Sequence, residues 1–233
     1  MKEVHGFDVL YEDDQTLVVS KPSGVLTQAP PGIDCLEWRI KRYLQQSSMS
    51  VKEPYLGVPH RLDRLVSGAM VFAKTKSAAR WYAEQFQQHR TTKKYWALVE
   101  GIIEHDHGIW TDTMRKIDGE SRSELVAHDH PQAKHAELQY VVRQRMPGMT
   151  WLEITLLTGR SHQIRLQASS RGHPVLGDEQ YGAKVVFGEQ FEDPRLRAIA
   201  LHARFLAFAL PGQASLCEHL APLPEAWKPY LNA

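Results

Sequence analysis

A chain of 233 residues with 42% hydrophobic and 24% charged residues is long enough to bury a sizeable core, and this ordinary balance excludes a disordered tail protein. Its 28 Lys and Arg against 27 Asp and Glu make no global basic field, so a nucleic-acid partner has to be met by local patches: "WRIKR" (38–42), "HRTTKK" (89–94) and Arg160, Arg165 and Arg171. Cys35 and Cys217 lie outside any CxxC spacing, "MKEVHGFDVLYEDD" has no apolar h-region, and His202 and Arg204 interrupt the longest apolar run. Together these argue against a disulfide framework, a cysteine metal site and a membrane span, and the expectation is a cytosolic protein with no membrane partner.

No repeat or Gly/Ser linker divides the chain, so a single domain is expected over about residues 8–230. "DVLYEDDQTLVVSKPSGV" predicts two strands around an acidic turn, the second running into a KPSG turn that leaves Lys21 at a strand end. "LEWRIKRYLQQ" places Leu36, Ile40, Tyr43 and Leu44 at helical spacing, and "GAMVFAKT" reads as a buried strand. A helix near residues 77–89 carries Ala79, Tyr82 and Phe86 as one stripe. "KKYWALVEG" then reads as a strand with Tyr95, Ala97 and Val99 on one face. Residues 103–135 are polar and histidine-rich, the expected place for hairpins or an irregular insertion. "AELQYVV" and "TWLEITLL" alternate and should pair through the "RMPGM" turn. A short helix from about Ser161, closed by Gly172 and Pro174, puts His162, Arg165 and Ser169 on one face, and "LHARFLAF" is the last strand. Strands outnumber helices, and the fold class is α+β with a mixed, largely antiparallel sheet.

Three segments concentrate polar residues at the ends of apolar strands: "SKPSGV", "HRLDRLVSG" and "LLTGRSHQIR". Any one of them alone reads as a turn with a salt bridge, but three together point to a site on a rigid scaffold. A guanidinium beside a carboxylate favours its ionised form and orients it, so Asp63 and Arg165 as a pair would make a nucleophile or a base. Carboxylates attack anomeric carbons in many glycosidases, where a second carboxyl is the acid. Here the companions are arginines, a lysine and a tyrosine, which suits glycosidic chemistry on an anionic substrate, and a nucleobase on a phosphate backbone fits.

On these residues the sequence resembles the RluA-type RNA pseudouridine synthases. "LVVSKPSGV" is similar to the family's first motif, "HRLDRLVSGAMVFAK" to its HRLDxxTSG motif, "KKYWALVEG" to its KxYxAlVxG strand, and "LLTGRSHQIRLQASSRGHPVLGDEQYG" with "LHA" at 201–203 to its last motifs. The match runs over about residues 9–210. The resemblance implies that Asp63 is the catalytic aspartate that enables cleavage of the uridine N-glycosidic bond, rotation of the uracil and rejoining through C5. It implies that Arg61 fills the space left by the flipped uridine. Tyr95 would stack on the uracil and Arg165 would pair with Asp63, while Lys21, His60, Arg160 and His162 would support the site or contact phosphate. A free tyrosine titrates near about 10, so Tyr95 is better suited to stacking than to base catalysis. The isomerisation is redox-neutral and calls for no cofactor and no metal.

Two positions depart from the family pattern: Val66 stands where threonine is usual and Gln167 where histidine is common. The catalytic pattern begins close to Met1 with no S4-type RNA-binding domain before it, so substrate choice is expected to come from the catalytic domain. A stem-loop of ribosomal or transfer RNA is the natural target. The loops at about 27–56 and 103–135 hold no readable base code, and a monomer is expected. Two other classes compete. The pairs in "EHDHG" (104–108) and "AHDHP" (127–131) suit a metal-dependent phosphodiesterase or hydrolase, whereas a non-catalytic RNA-binding module would have lost Asp63, Tyr95 or Arg165, and all three are present.

Overall fold

A computed structural model describes residues 6–47 and 53–231. In chain order the elements are β1 (Asp8–Glu12), β2 (Thr16–Lys21), α1 (Leu36–Ser47), β3 (Ser67–Ala73), α2 (Lys76–Gln87), β4 (Thr92–Glu100), β5 (His107–Lys116), β6 (Ser123–Leu125), β7 (Lys134–Met146), β8 (Met149–Leu156), α3 (Gln163–Ser169), β9 (Leu201–Ala209), β10 (Leu216–Leu220) and α4 (Lys228–Leu231). The part of the 27–56 loop at 48–52 lies outside the described residues. The chain forms two compact units. One holds the chain up to Lys93 with Phe191–Arg197 and Ala203–Glu225, and the other holds Lys94–Gln190, Ala198–His202 and the chain from Ala226.

In the first unit β2 and β3 are buried along their whole length, as a continuous apolar run with β-branched residues requires of interior strands. They pair antiparallel from Thr16↔Ala73 to Lys21↔Gly68, with β1 added on the outer side of β2. The acidic turn before β2 is an Asp13 cap, whose Oδ1 accepts the N–H groups of Gln15 and Thr16 at 2.7 and 2.6 Å. β9 follows β3 in the sheet, and β10, which the sequence did not suggest, pairs with β9. α1 buries Leu36, Ile40 and Leu44 at i, i+4 and i+8, the expected apolar stripe. α2 starts at Thr75, whose Oγ1 accepts the Ala78 N–H at 3.2 Å. Its buried stripe is Ala78, Tyr82 and Gln85, one position from the expected Ala79 and Phe86, which pack on the core only partly. The shift has a polar cause: Gln85 accepts the Ala209 N–H at 2.8 Å and donates to its carbonyl at 2.9 Å, terminating β9 inside the core.

In the second unit the strands run β4, β8, β7, β5, β6 across the sheet, and each of these neighbouring pairs is antiparallel. The β7–β8 hairpin closes over Pro147 and Gly148, the latter at φ +75°. Residues 103–135, the expected place for hairpins or an irregular insertion, carry an antiparallel ribbon, β5 with β6, between irregular stretches. β5 pairs with β7 from His107↔Val141 to Met114↔Lys134 and with β6 from Met114↔Leu125 to Lys116↔Ser123. The alternation there was diluted by polar outer-face residues, while Trp110 and Met114 carry the buried face. α3 is shorter than its motif suggests, and Gly172 at φ +80° ends the turn after it. The α+β class with a largely antiparallel arrangement stands. Among the described residues no helix is long and apolar enough to cross a membrane.

Candidate active site

In the first unit Asp63 sits in the irregular stretch that leads into β3, half-buried, between a buried Leu62 and a half-buried Arg64. Each neighbour is anchored. The Thr27 hydroxyl donates to the Leu62 carbonyl at 2.8 Å and accepts the Leu62 N–H at 3.2 Å. Arg64 donates from Nε to the Gly24 carbonyl at 3.0 Å, and the Val66 N–H closes a turn on the Asp63 carbonyl at 3.1 Å. Gly68 follows at φ +127°, where a Cβ would lie 2.4 Å from the Ala203 carbonyl oxygen, so only glycine lets β3 approach β9 there. Val66 itself is 2% exposed, and the hydrocarbon that replaces the family's usual threonine rests in the core.

Lys21, at the end of β2, has no exposed surface, and its ammonium donates to the carbonyls of Val25 (2.7 Å), Pro22 (2.8 Å) and Arg64 (3.2 Å). It is therefore a strut between the KPSG turn and the Asp63 segment, and the expected phosphate contact does not suit its position. Burial lowers its pKa to about 7, with Asp63 opposing that shift. His60 also supports the segment: its Nε2 accepts the Val71 N–H at 3.1 Å and its ring stacks on Phe86 at 4.4 Å. Desolvation, reinforced by Lys93, pushes it down to about 3, so it brings no positive charge to a phosphate near neutral pH. Arg61 is exposed.

In the second unit Tyr95 lies on β4 opposite Ile154, 9% exposed. The expected shared face of α3 is present, and what it faces is Tyr181. His162 Nδ1 is 3.0 Å from the Tyr181 hydroxyl, the Arg165 guanidinium lies 4.9 Å from the ring centre, and Ser169 Oγ donates to the Tyr181 carbonyl at 2.6 Å. His162 caps α3 at φ +54°, a left-handed conformation that costs a non-glycine residue on the order of 1 kcal/mol or more and that concentrates at functional sites. Arg165 is 2% exposed and bonds Asp178 by a fork, Nε to Oδ2 at 2.6 Å and Nη2 to Oδ1 at 2.7 Å, with Gln180 Oε1 2.9 Å from Nη2. Removing one partner of such a buried pair costs about 3–5 kcal/mol. Arg160 donates from Nε to the His135 carbonyl at 2.8 Å, and its N–H bonds Gln163 Oε1 at 3.0 Å.

Gln167 is fully buried. Its Nε2 faces Asp112 Oδ2 (2.7 Å) and the carbonyls of Trp110 (3.2 Å) and Ala136 (3.4 Å), and its Oε1 accepts from Gln163 at 3.1 Å. This departure from the family pattern thus belongs to a satisfied core network. Thr27, Asp178 and Tyr181 are the residues that motif reasoning missed. Asp178 and Tyr181 lie inside the quoted "GDEQYG". For Thr27 no local signal exists. The histidine pairs of 104–108 and 127–131 belong to no group of three or more His, Cys, Asp or Glu able to hold a metal ion among the described residues.

The family profile of RNA pseudouridylate synthase matches residues 15–170. The chain is 35% identical over 213 residues to the dual-specificity RNA pseudouridine synthase RluA of Vibrio vulnificus, covering 88% of this chain and 78% of that protein. It is 29% identical over 234 residues to ribosomal large subunit pseudouridine synthase C of Buchnera aphidicola, with 97% and 70% covered. Among solved structures, human RNA pseudouridylate synthase domain containing 4 superposes with a TM-score of 0.78 at 24% identity, covering 97% of this chain and 92% of that one, a likeness of fold.

Proposed function

Because the chain belongs to the RluA-type RNA pseudouridine synthases and is thereby an RNA-modifying isomerase, we propose that Asp63, Tyr95 and Arg165 are the residues that carry its reaction. The N1–C1′ bond of a uridine breaks, the uracil turns, and a C5–C1′ bond forms. C5 loses its proton and N1 gains one, so atoms and electrons balance without an oxidant or reductant. Asp63 acts at the sugar carbon as an oriented, ionised carboxylate, with Arg165 as its guanidinium partner in the reaction. Tyr95 offers a ring for the uracil to stack on, and Arg61, exposed beside Asp63, takes the place of the extruded base. Arg160 and His162 steady the α3 end of the machinery through Gln163 and Tyr181.

The observation that carries this reading is the bracing of the Asp63 segment. Leu62 and Arg64, on either side of the half-buried carboxylate, are pinned by Thr27, Lys21 and Gly24, which is how a scaffold preorganises a reacting group. The substrate we propose is a uridine in a stem-loop of ribosomal or transfer RNA, modified in the cytoplasm by a monomer. The ribosomal large subunit in the name of one relative and the dual specificity in that of another support testing both RNA pools.

The test is tritium release from RNA labelled at uridine C5, with ribosomal and transfer RNA as separate substrates. Release from at least one pool, abolished in Asp63→Asn while RNA affinity stays within about threefold, is the expected result, because phosphate and shape contacts survive the substitution. Normal turnover by Asp63→Asn would overturn the assignment.

A further inference from the structure

The second unit commits an unusual amount of polar structure to one side chain. Arg165 is fixed on its Nε/Nη2 edge by Asp178, held again at Nη2 by Gln180, and covered on one face by Tyr181. The clamp is itself rigid. Asp178 follows Gly177 at φ +82°, its N–H bonds the Val175 carbonyl at 3.0 Å, and its own carbonyl accepts the N–H groups of Tyr181 and Ala183 at 3.0 and 3.1 Å. Tyr181 is tied in turn by the Ser123 N–H on its hydroxyl at 2.9 Å and by Ser169 on its carbonyl. A buried ion pair of this kind gives little stability over well-packed hydrophobic residues of the same volume. What it supplies is direction: with Nε and both Nη2 hydrogens committed, the plane of the guanidinium is set and its Nη1 edge is aimed away from Asp178.

We infer that Asp178 is a positioning residue for the isomerisation, acting through Arg165 by holding the guanidinium in the orientation that the reaction uses. The inference rests on the reading above that Arg165 takes part in the reaction. Asp178 has no exposed surface and touches no substrate on this account. Its effect should therefore fall on turnover and vanish when Arg165 is gone.

The experiment is a double-mutant cycle on the full chain, with single-turnover tritium release and RNA affinity measured side by side. Asp178→Glu keeps the negative charge but displaces the fork by one methylene. It is expected to slow turnover about tenfold or more with RNA affinity within about threefold, as misplacing a reacting group by ~1 Å does. Asp178→Asn should behave likewise where it folds. In the Arg165→Met background, Asp178→Asn should cost nothing further, since both charges of the buried pair are then removed. Wild-type turnover by Asp178→Glu, or losses that multiply in the double variant, would overturn the inference while leaving the role of Arg165 intact. Wild-type turnover by Arg165→Met alone would instead remove the reading on which it stands.

Discussion

Thr27→Val isolates how much the Asp63 segment depends on one hydroxyl. The substitution is close to isosteric, so packing against Met70 and Leu62 is kept, and what changes is the pair of hydrogen bonds at 2.8 and 3.2 Å to the Leu62 carbonyl and N–H. Thr27 is 3% exposed and Leu62 7%, so water cannot replace the lost partner without opening the core. Each stranded backbone group costs about 1–3 kcal/mol, and the pair together about 2–6 kcal/mol. Urea unfolding, with Thr27→Ser as the control that retains the hydroxyl and loses only a methyl group at about 1 kcal/mol, reads that difference directly. Because Leu62 precedes Asp63, the valine variant should also lose about tenfold or more in turnover under saturating RNA, and the serine variant should not. Equal stability and equal turnover in the two variants would show that the segment is held by something other than Thr27.

Three further outcomes follow from the packing and the charges. Gly68→Ala should destabilise the protein by about 3 kcal/mol or more in thermal unfolding, because the added Cβ meets backbone at 2.4 Å in a conformation that L-residues avoid, and a stable Gly68→Ala protein would contradict the close approach of β3 and β9. Lys21 titrates near 7 when folded against about 10.4 when unfolded, so the unfolded chain holds more protons between those values. The penalty of its buried charge is complete below about pH 7 and is relieved as pH rises; relative to Lys21→Met, wild-type stability should climb by about 2–3 kcal/mol from pH 7 to 9. A pH-independent difference between the two would show that Lys21 keeps its proton. Gln167→His places a ring with fewer donors among the acceptors at Trp110, Asp112 and Ala136 and should cost about 1–3 kcal/mol in urea unfolding, whereas a neutral effect would mean that the network re-forms around histidine.

Much of the fold was legible because its signals are periodic and local. Continuous apolar runs marked β2 and β3, alternation marked β7 and β8, and the i, i+4, i+8 spacing of Leu36, Ile40 and Leu44 marked α1. β5 and β6 were legible only as hairpins without bounds, because one face of that ribbon is exposed and mostly polar, and β10 was hidden because a five-residue strand with Leu216 and Leu220 exposed has no buried apolar face to advertise it. The chemistry was legible for a different reason: HRLD and TGRSHQIR bring together residue types that a turn or a solvated face does not require.

The sequence by itself determined the family, the α+β class and the side chains proposed to react, because these depend on residue type and spacing along the chain. Tertiary structure alone decided what each polar side chain is used for. Lys21 and His60, both suited on paper to a phosphate, are turned inward onto carbonyls and a strand N–H, while Arg165 is clamped by Asp178 thirteen residues away. The physical reason is that a buried donor or charge takes its partner from whatever the fold brings within about 3 Å, and that distance is set by packing rather than by sequence separation.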